Sequence, residues 1–349
     1  MGRALGVGGA VAHTQAKPML SATPPPAANG PAISVIVPSW RRPVDLERCL
    51  RALAAQSLRP AQVVVGARSG DEETLRVANA ARASMGLNIL PVATPDPGVI
   101  AAMSAALAQC RGDIIALTDD DAEPRPDWLE RLASAFRNPV VGGAGGRDWQ
   151  PTERGDRTDV GRVQWFGRVL GNHHLGSGPA RGVDVLKGVN IAMRAPLLKA
   201  SGFDGRLRGA GAQMFWELAL CLPIRRAGWT LIYDPSTAVE HHVAVRHDAD
   251  QRHRGVFAAG PQVDAVHNET LVLLEHLAGV RRVAFLLWAV LVGTQIEPGL
   301  VQVPRLFLRG ERAVTVKWFA TLKGRIAGWR SFRATGRDAA AHLPRVPLA

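Results

Sequence analysis

Gly112-Asp-Ile-Ile-Ala-Leu-Thr-Asp-Asp-Asp-Ala-Glu-Pro-Arg-Pro-Asp-Trp128 is the stretch on which the reading of the fold turns. The apolar run Ile114 to Leu117 has the length and composition of a buried strand. It ends in three carboxylates, Asp119, Asp120 and Asp121. Pro124 and Pro126 then turn the chain, and Asp127 stands where it can cap a helix beginning at Trp128. In an open α/β sheet, ligands gather beyond the carboxyl ends of the strands. Three adjacent acids there repel one another unless a positive charge sits among them. A hard divalent cation with a phosphorylated ligand answers that need. The competing reading is a solvated acidic turn.

Around this stretch, strand and helix alternate with short connections. Ile33 to Pro38 is rich in β-branched residues and reads as a first strand. Asp45 to Gln56 has helical spacing, with Leu46, Leu50 and Leu53 on one face. Gln62 to Val65 and Asn88 to Val92 are further strands; Asp71 to Ala83 and Gly98 to Gln109 are further helices. The pattern predicts an α/β fold with a mostly parallel central sheet. Beyond Val140 the texture changes. Gly142 to Gly146 is glycine-dense, and Trp165 to Pro179 combines an aromatic start with His173 and His174. That second segment shapes a binding surface or is a plain connection. Val183 to Met193 reads as one returning strand, and Met214 to Arg226 as a helix that Pro223 kinks or whose start it displaces. Trp229 to Tyr233 is a last strand, ended by Asp234-Pro235.

The chain has 349 residues, 47% of them hydrophobic, enough for one core with an appendage. Its three cysteines lie far apart, with neither metal-ligand spacing nor a disulfide framework. The net charge of +12 favours anionic partners. With one Tyr and no recognition motif, a nucleic-acid role rests on charge alone and is not expected. The expected organisation is a disordered leader over 1–30, a catalytic domain over 31–260, an apolar and basic helical region over 261–335, and a flexible tail over 336–349. Within the helical region, Val283 to Ile296 is uncharged but shorter than the roughly 20 residues of a spanning helix. From Arg305 to Ala349 there are ten Lys or Arg against two acids. An interfacial or re-entrant pair of helices on an anionic membrane is expected, with a hairpin packed on the core as the alternative and a spanning helix as the minority reading.

Six stretches, in order from residue 33 to 242, resemble the family 2 glycosyltransferases of GT-A fold, typified by bacterial cell-surface polysaccharide enzymes. They are Ile33-Ser-Val-Ile-Val-Pro-Ser-Trp40, Gly112 to Asp121, Gly188-Val-Asn-Ile-Ala-Met-Arg194, Gly202-Phe-Asp204, Arg226-Ala-Gly-Trp229, and Tyr233-Asp-Pro235 through His241. The resemblance implies transfer of a sugar from a nucleoside diphosphate sugar to a hydroxyl of a glycan or lipid-linked acceptor, with inversion. It implies Mg2+ or Mn2+ held by Asp119 and Asp121, or by the adjacent Asp120 and Asp121, with His241 completing the site and His242, His247 and Arg246 as alternatives. Asp119 or Asp120 would reach the donor, alongside Pro38, Ser39 and Arg68. Glu217 falls in register with the family's general base, and Asp204 and Asp234 are rival carboxylates. Trp165, His173, His174, Asn190 and Trp216 are the acceptor-side candidates. The implied location is the cytoplasmic face of the cell membrane, peripheral or interfacial.

Two departures stand out. The family's Asp-Asp-Gly-Ser after the second strand is here Gly66-Ala-Arg-Ser69, so the acid that reads the base is missing; Arg68 or Asp71 would have to substitute. Thr94-Pro-Asp-Pro-Gly98 replaces Arg-Asn-x-Gly. A nucleotidyltransferase acting on a sugar phosphate, or a catalytically weak membrane-associated scaffold of the same fold, are the competing functions.

Overall fold

The four apolar runs of the first half each become a strand, and the four lie side by side. In the computed structural model, which describes residues 1–2, 30–150, 154–250 and 256–347, β1 (Ile33–Ser39), β2 (Gln62–Arg68), β3 (Ile89–Thr94) and β4 (Ile114–Leu117) alternate with α1 (Pro43–Ala54), α2 (Glu72–Ser84) and α3 (Val99–Gln109). These strands pair in parallel in the order β3-β2-β1-β4. Side chains alternate across the sheet as the strand period requires. Val35, Val37, Val63 and Val65 pack with Leu46, Leu50 and Leu53 of α1 on one face. Ile36 and Val64 pack with Met103, Ala106 and Leu107 of α3 on the other. Both faces are covered, which is why the strands read as continuous apolar runs. Asp71 caps α2 by accepting from Thr74 N.

After β5 (Ala122–Pro124) comes α4 (Trp128–Ala135). Asp127 holds the N-cap position without a cap bond; its carboxylate turns outward to Arg131 one turn on. The glycine-dense stretch is β6 (Val141–Trp149), an interior strand. Next are the hairpin strands β7 (Arg162–Val163) and β8 (Val169–Leu170), then β9 (Arg181–Val183) and β10 (Ile191–Arg194). The single strand expected over Val183 to Met193 is thus two, separated by the loop 184–190 that carries Lys187 and Gly188. α5 (Ala195–Ser201) and α6 (Trp216–Arg226) follow; Pro223 lies inside α6 without ending it, and the helix starts two residues later than expected. β11 (Thr230–His241) runs on past Asp234-Pro235, absorbing that pair in a register shift between Asp234 and Ala238. The complete path is β3-β2-β1-β4-β10-β6-β11-β5, with β9 also on β11. β10 enters antiparallel, whereas β6 and β11 pair in parallel.

The glycines of β6 admit close neighbours. A Cβ on Gly146 would lie 1.8 Å from Thr237 O and 2.4 Å from Asp234 O, both backbone atoms of the β11 shift. Gly146→Ala is expected to destabilise the fold by about 1–3 kcal/mol or more, the cost of overpacking where no side chain can yield. Urea denaturation measures it; an unchanged midpoint would contradict the packing.

The C-terminal helices are α7 (Ala259–His276), α8 (Val280–Leu291), α9 (Gln302–Leu308) and α10 (Val314–Thr335). α7 is buried almost all round from Ala265 to Glu275, so this part of the apolar region is core. α10 lies against it through Gly324 and Gly328, whose bare backbones meet Val266 and Thr270. Between them Arg325 pairs with Glu269 and, at 2.7 Å, with Glu297. Among the described residues no helix is long and apolar enough to cross a membrane. The expected flexible tail is corrected over its described part. Ala340 and Leu343 are buried, Pro344 O accepts from Trp229 Nε1 at 2.7 Å, and Arg337 N donates to Glu275. The described residues from 31 onward form one compact unit, while of the expected leader only Met1, Gly2 and Gly30 are among the described residues.

Candidate active site

Parallel strands deliver their carboxyl ends to one edge. Pro38 and Ser39 from β1, Arg68 from β2, Thr94 from β3 and Asp119 beyond β4 line a single cavity of about 520 Å³. The antiparallel pairing of β5 with β11 sets His241 opposite Ala122, hence beside Asp121. His241 Nε2 stands 3.4 Å from Asp121 Oδ1. One ligand atom each from Asp119, Asp121 and His241 lies within 4.8 Å of the others. Asp121 Oδ1 is buried and receives no well-formed hydrogen bond. Two carboxylates, an imidazole and an unanswered carboxylate oxygen suit a divalent cation. His242 is instead outward, 2.6 Å from Glu123, which favours His241 of the two.

The three acids are not equivalent. Asp120, expected to touch the donor, is fully buried and pairs with Arg42 at 2.8 Å, outside the cavity lining. Alternation along the chain points it beneath its neighbours. Burial pushes its carboxyl up to about 8 despite Arg42. Asp119 is raised, by burial and then by Asp121. Burial would raise Asp121 too, but His241, Arg42 and the Ala244 N–H hold it below the usual carboxylate range. Burial would lower His241; Asp121 and Asp148 overcome that and lift it to about 9. Asp148, at the end of β6, lies 3.5 Å from His241 Nδ1 and is salt-bridged to Lys187. This is the carboxylate–imidazole pairing that fixes a ligating histidine.

Glu217 opens α6 and lines the same cavity. Gly188 N donates to its Oε1 at 3.3 Å. Burial raises its pKa. Gly188 is required here, since a Cβ would come 2.2 Å from Trp216 and 3.2 Å from Glu217 Oε1. The rival carboxylates are elsewhere. Asp204 is engaged by Arg206 and Arg337, Asp234 caps the turn at Ser236, and neither lines the cavity.

On the donor side, the Arg41 and Arg68 guanidinium carbons lie 5.1 and 5.7 Å from the Trp40 ring centroid. Asp71 does not replace the missing acid: it is buried and accepts from Arg41 N and Thr74. His173, His174 and Trp216 line the cavity as expected, with His173 held by Val185 O and kept largely neutral by burial at about 4. Trp165 and Asn190 do not. Trp165 is exposed on the β7–β8 turn, and Asn190 is a buried pin bonded to Trp128, Arg147 O and Thr237 O. Arg246 and His247 both line the cavity. Asp148 and Lys187 are the site residues the sequence reading missed; Lys187 had a signal, standing immediately before Gly188-Val-Asn190.

Comparison with known proteins follows the same lines. The chain is 34% identical over 123 residues to an N-acetylglucosaminyltransferase of Rhizobium leguminosarum bv. viciae, covering 34% of this chain and 28% of that protein. It is 30% identical over 121 residues to glycosyltransferase AglE of Haloferax volcanii, covering 33% and 39%. It is also 32% identical over 149 residues to the uncharacterized protein y4gI of Sinorhizobium fredii, covering 40% and 16%. The matches thus span less than half the length of each relative. In fold, the chain is similar to S. aureus TarS 1–349 in complex with UDP-GlcNAc, with a TM-score of 0.57 at 15% identity over 88% of this chain and 89% of that one. The family model described as glycosyltransferase like family 2 matches residues 31–258, more than half of the chain, and contains every cavity residue described above. The protein belongs to that family and has the GT-A fold.

Proposed function

We propose that the protein transfers a sugar from a nucleoside diphosphate sugar to a hydroxyl of a glycan or lipid-linked acceptor, with inversion at the anomeric carbon. The observation that carries this reading is the placement of Glu217 in one cavity with Asp119, Asp121 and His241. The last three would hold Mg2+ or Mn2+, which when bound neutralises charge on the leaving diphosphate as a Lewis acid. Asp148 holds the His241 ring, while Arg42 pairs with Asp120 and steadies Asp121. Trp40 and Arg68 offer a flat cationic wall to the nucleotide in place of the family's acid. Glu217 accepts the proton of the acceptor hydroxyl as that oxygen bonds to the anomeric carbon and the bond to the diphosphate breaks. The outward faces of α8 to α10, apolar with basic flanks, rest on an anionic membrane at its cytoplasmic side.

The Rhizobium N-acetylglucosaminyltransferase makes an N-acetylglucosamine donor the first to try. In a panel of nucleoside diphosphate sugars, at least one donor is expected to release nucleoside diphosphate, with Mg2+ or Mn2+ required. No release from any donor with either cation, acceptors included, would favour the inactive scaffold.

A further inference from the structure

A second cavity, of about 420 Å³, opens at the C-terminal end of α8. Arg168, from the β7–β8 turn, and Arg305, from α9, line it together with Trp288, Val292, Ile296 and Gln302. Both arginines are exposed, and among the described residues neither has a carboxylate partner. Gln302 Oε1 is buried in this lining and has no hydrogen-bond partner. Two guanidiniums without a carboxylate partner on one cavity give it the chemistry to attract an anion, and the planar fork of each suits phosphate. Trp288, Val292 and Ile296 supply an apolar wall continuous with the exposed Val283, Leu287 and Leu291 of α8.

The cavity is built on firm parts. Its rim, residues 293–298, is a closed turn in which Thr294 N donates to Glu297 O and Gly299 N to Val292 O. Gly293 has φ +63°, and a Cβ there would meet Glu297 O at 2.3 Å. From below, Gln262 donates to Ile296 O and Arg325 holds Glu297. The β7–β8 turn is locked to α8 by Phe166 against Trp288, by Arg281 donating to Trp165 O, and by Gly167 lying on Phe285. The same hairpin leads within a few residues to Gly171, Asn172, His173 and His174 on the wall of the active-site cavity.

We infer that this cavity binds the phosphate of an anionic glycerophospholipid, seated between Arg168 and Arg305 with its acyl chains on the Trp288–Ile296 wall, and so fixes the height and rotation of the active site on the membrane. This rests on the membrane reading above and gives it a site. Charge and shape both favour a lipid: phosphate alone would leave the apolar wall unused.

Three proteins are compared: the wild type, Arg168→Gln/Arg305→Gln, and Arg309→Gln/Arg312→Gln, which loses the same charge outside the cavity. Thermal melting checks that each is folded. Calorimetry with monomeric short-chain phosphatidylglycerol is expected to show one saturable site in the wild type and the Arg309/Arg312 variant. The Arg168/Arg305 variant is expected to bind about tenfold or more weakly, because both charge-assisted bonds to the phosphate are lost. Glycerol 3-phosphate binding as tightly as the lipid would overturn the lipid assignment. Equal lipid binding by all three proteins, or no saturable site in the wild type, would overturn the cavity. Sedimentation with phosphatidylglycerol-containing vesicles separates the two levels. If the wild type binds them while the cavity fails, the membrane reading stands; if it binds none, both fall.

Discussion

Glu217→Gln is expected to leave the fold and donor binding in place and to slow sugar transfer by roughly 10²–10⁴-fold, the worth of a positioned proton acceptor. The substitution keeps an oxygen to accept from Gly188 N and keeps the volume against Trp216. It removes only the basic charge. Burial raises the pKa of this carboxyl, which improves its match to a proton drawn from a hydroxyl near neutral pH. The sign carries a second consequence. A carboxyl whose pKa is raised on folding holds its proton more tightly in the native state than in the unfolded chain. Its ionised form therefore costs stability as pH rises past the unfolded value. Gln removes that cost, so the variant should melt no lower than the wild type at pH 7 while losing activity, as expected where a site is kept for function. Single-turnover transfer at saturating donor and acceptor is the measurement. In the wild type the rate should fall as pH drops through the raised pKa of Glu217, and the variant should lack that limb. Near-normal transfer by folded Glu217→Gln protein would sink the assignment. The base would then be sought among the cavity carboxylates outside the cation cluster, Asp96 and Asp248, since Asp204 and Asp234 lie outside the cavity.

What the sequence made legible follows from what each element depends on. β1, β2 and β4 are buried on both faces, so their identity is local: Ile33 to Pro38 and Ile114 to Leu117 can be read without neighbours. Leu46, Leu50 and Leu53 announce α1 in the same way. β6 was illegible because its glycines serve their neighbours. Gly143, Gly145 and Gly146 admit Met193, Asn190 and Thr237, and a strand defined by what it must not carry gives no periodic signal. β11 was cut short because Asp234-Pro235 is a turn signature that tertiary pairing overrides by a register shift. The same dependence divides the site. Asp119, Asp121 and Glu217 sit at strand or helix ends where motif spacing reaches them. Asp148 reaches His241 only because β6 and β11 pair, and Lys187 reaches Asp148 only because the loop 184–190 folds over that strand. Asp120 shows the converse. The family resemblance implies a place for it at the donor, but its burial on Arg42 is a fact of packing.

Asp121→Ala is expected to abolish the dependence of donor affinity on a divalent cation. Asp121 is the buried member of the Asp119, Asp121 and His241 cluster, and its Oδ1 is the oxygen without a well-formed hydrogen bond. Its other oxygen is already taken by Arg42 and Ala244 N. The substitution therefore removes one cation-facing oxygen and leaves Asp119 and His241 as an incomplete pair. Arg42 keeps Asp120, so the guanidinium is not stranded, and His241 keeps Asp148. Ala244 N–H does lose its acceptor, at about 1–3 kcal/mol if it stays buried. Asp121→Asn is the control, restoring an amide oxygen for Ala244 while removing the charge. Asp148→Asn sets the scale: losing an outer partner of a ligating histidine costs roughly 10–100-fold in metal affinity, and loss of Asp121 should exceed that. Calorimetric titration of the donor with and without Mn2+ measures all three. The expected order is wild type, then Asp148→Asn with weakened Mn2+ dependence, then both Asp121 variants with none. Folded Asp121→Asn protein that binds donor as tightly as the wild type, and still only with Mn2+, would remove Asp121 from the cation site and leave its charge serving Arg42 and His241 alone.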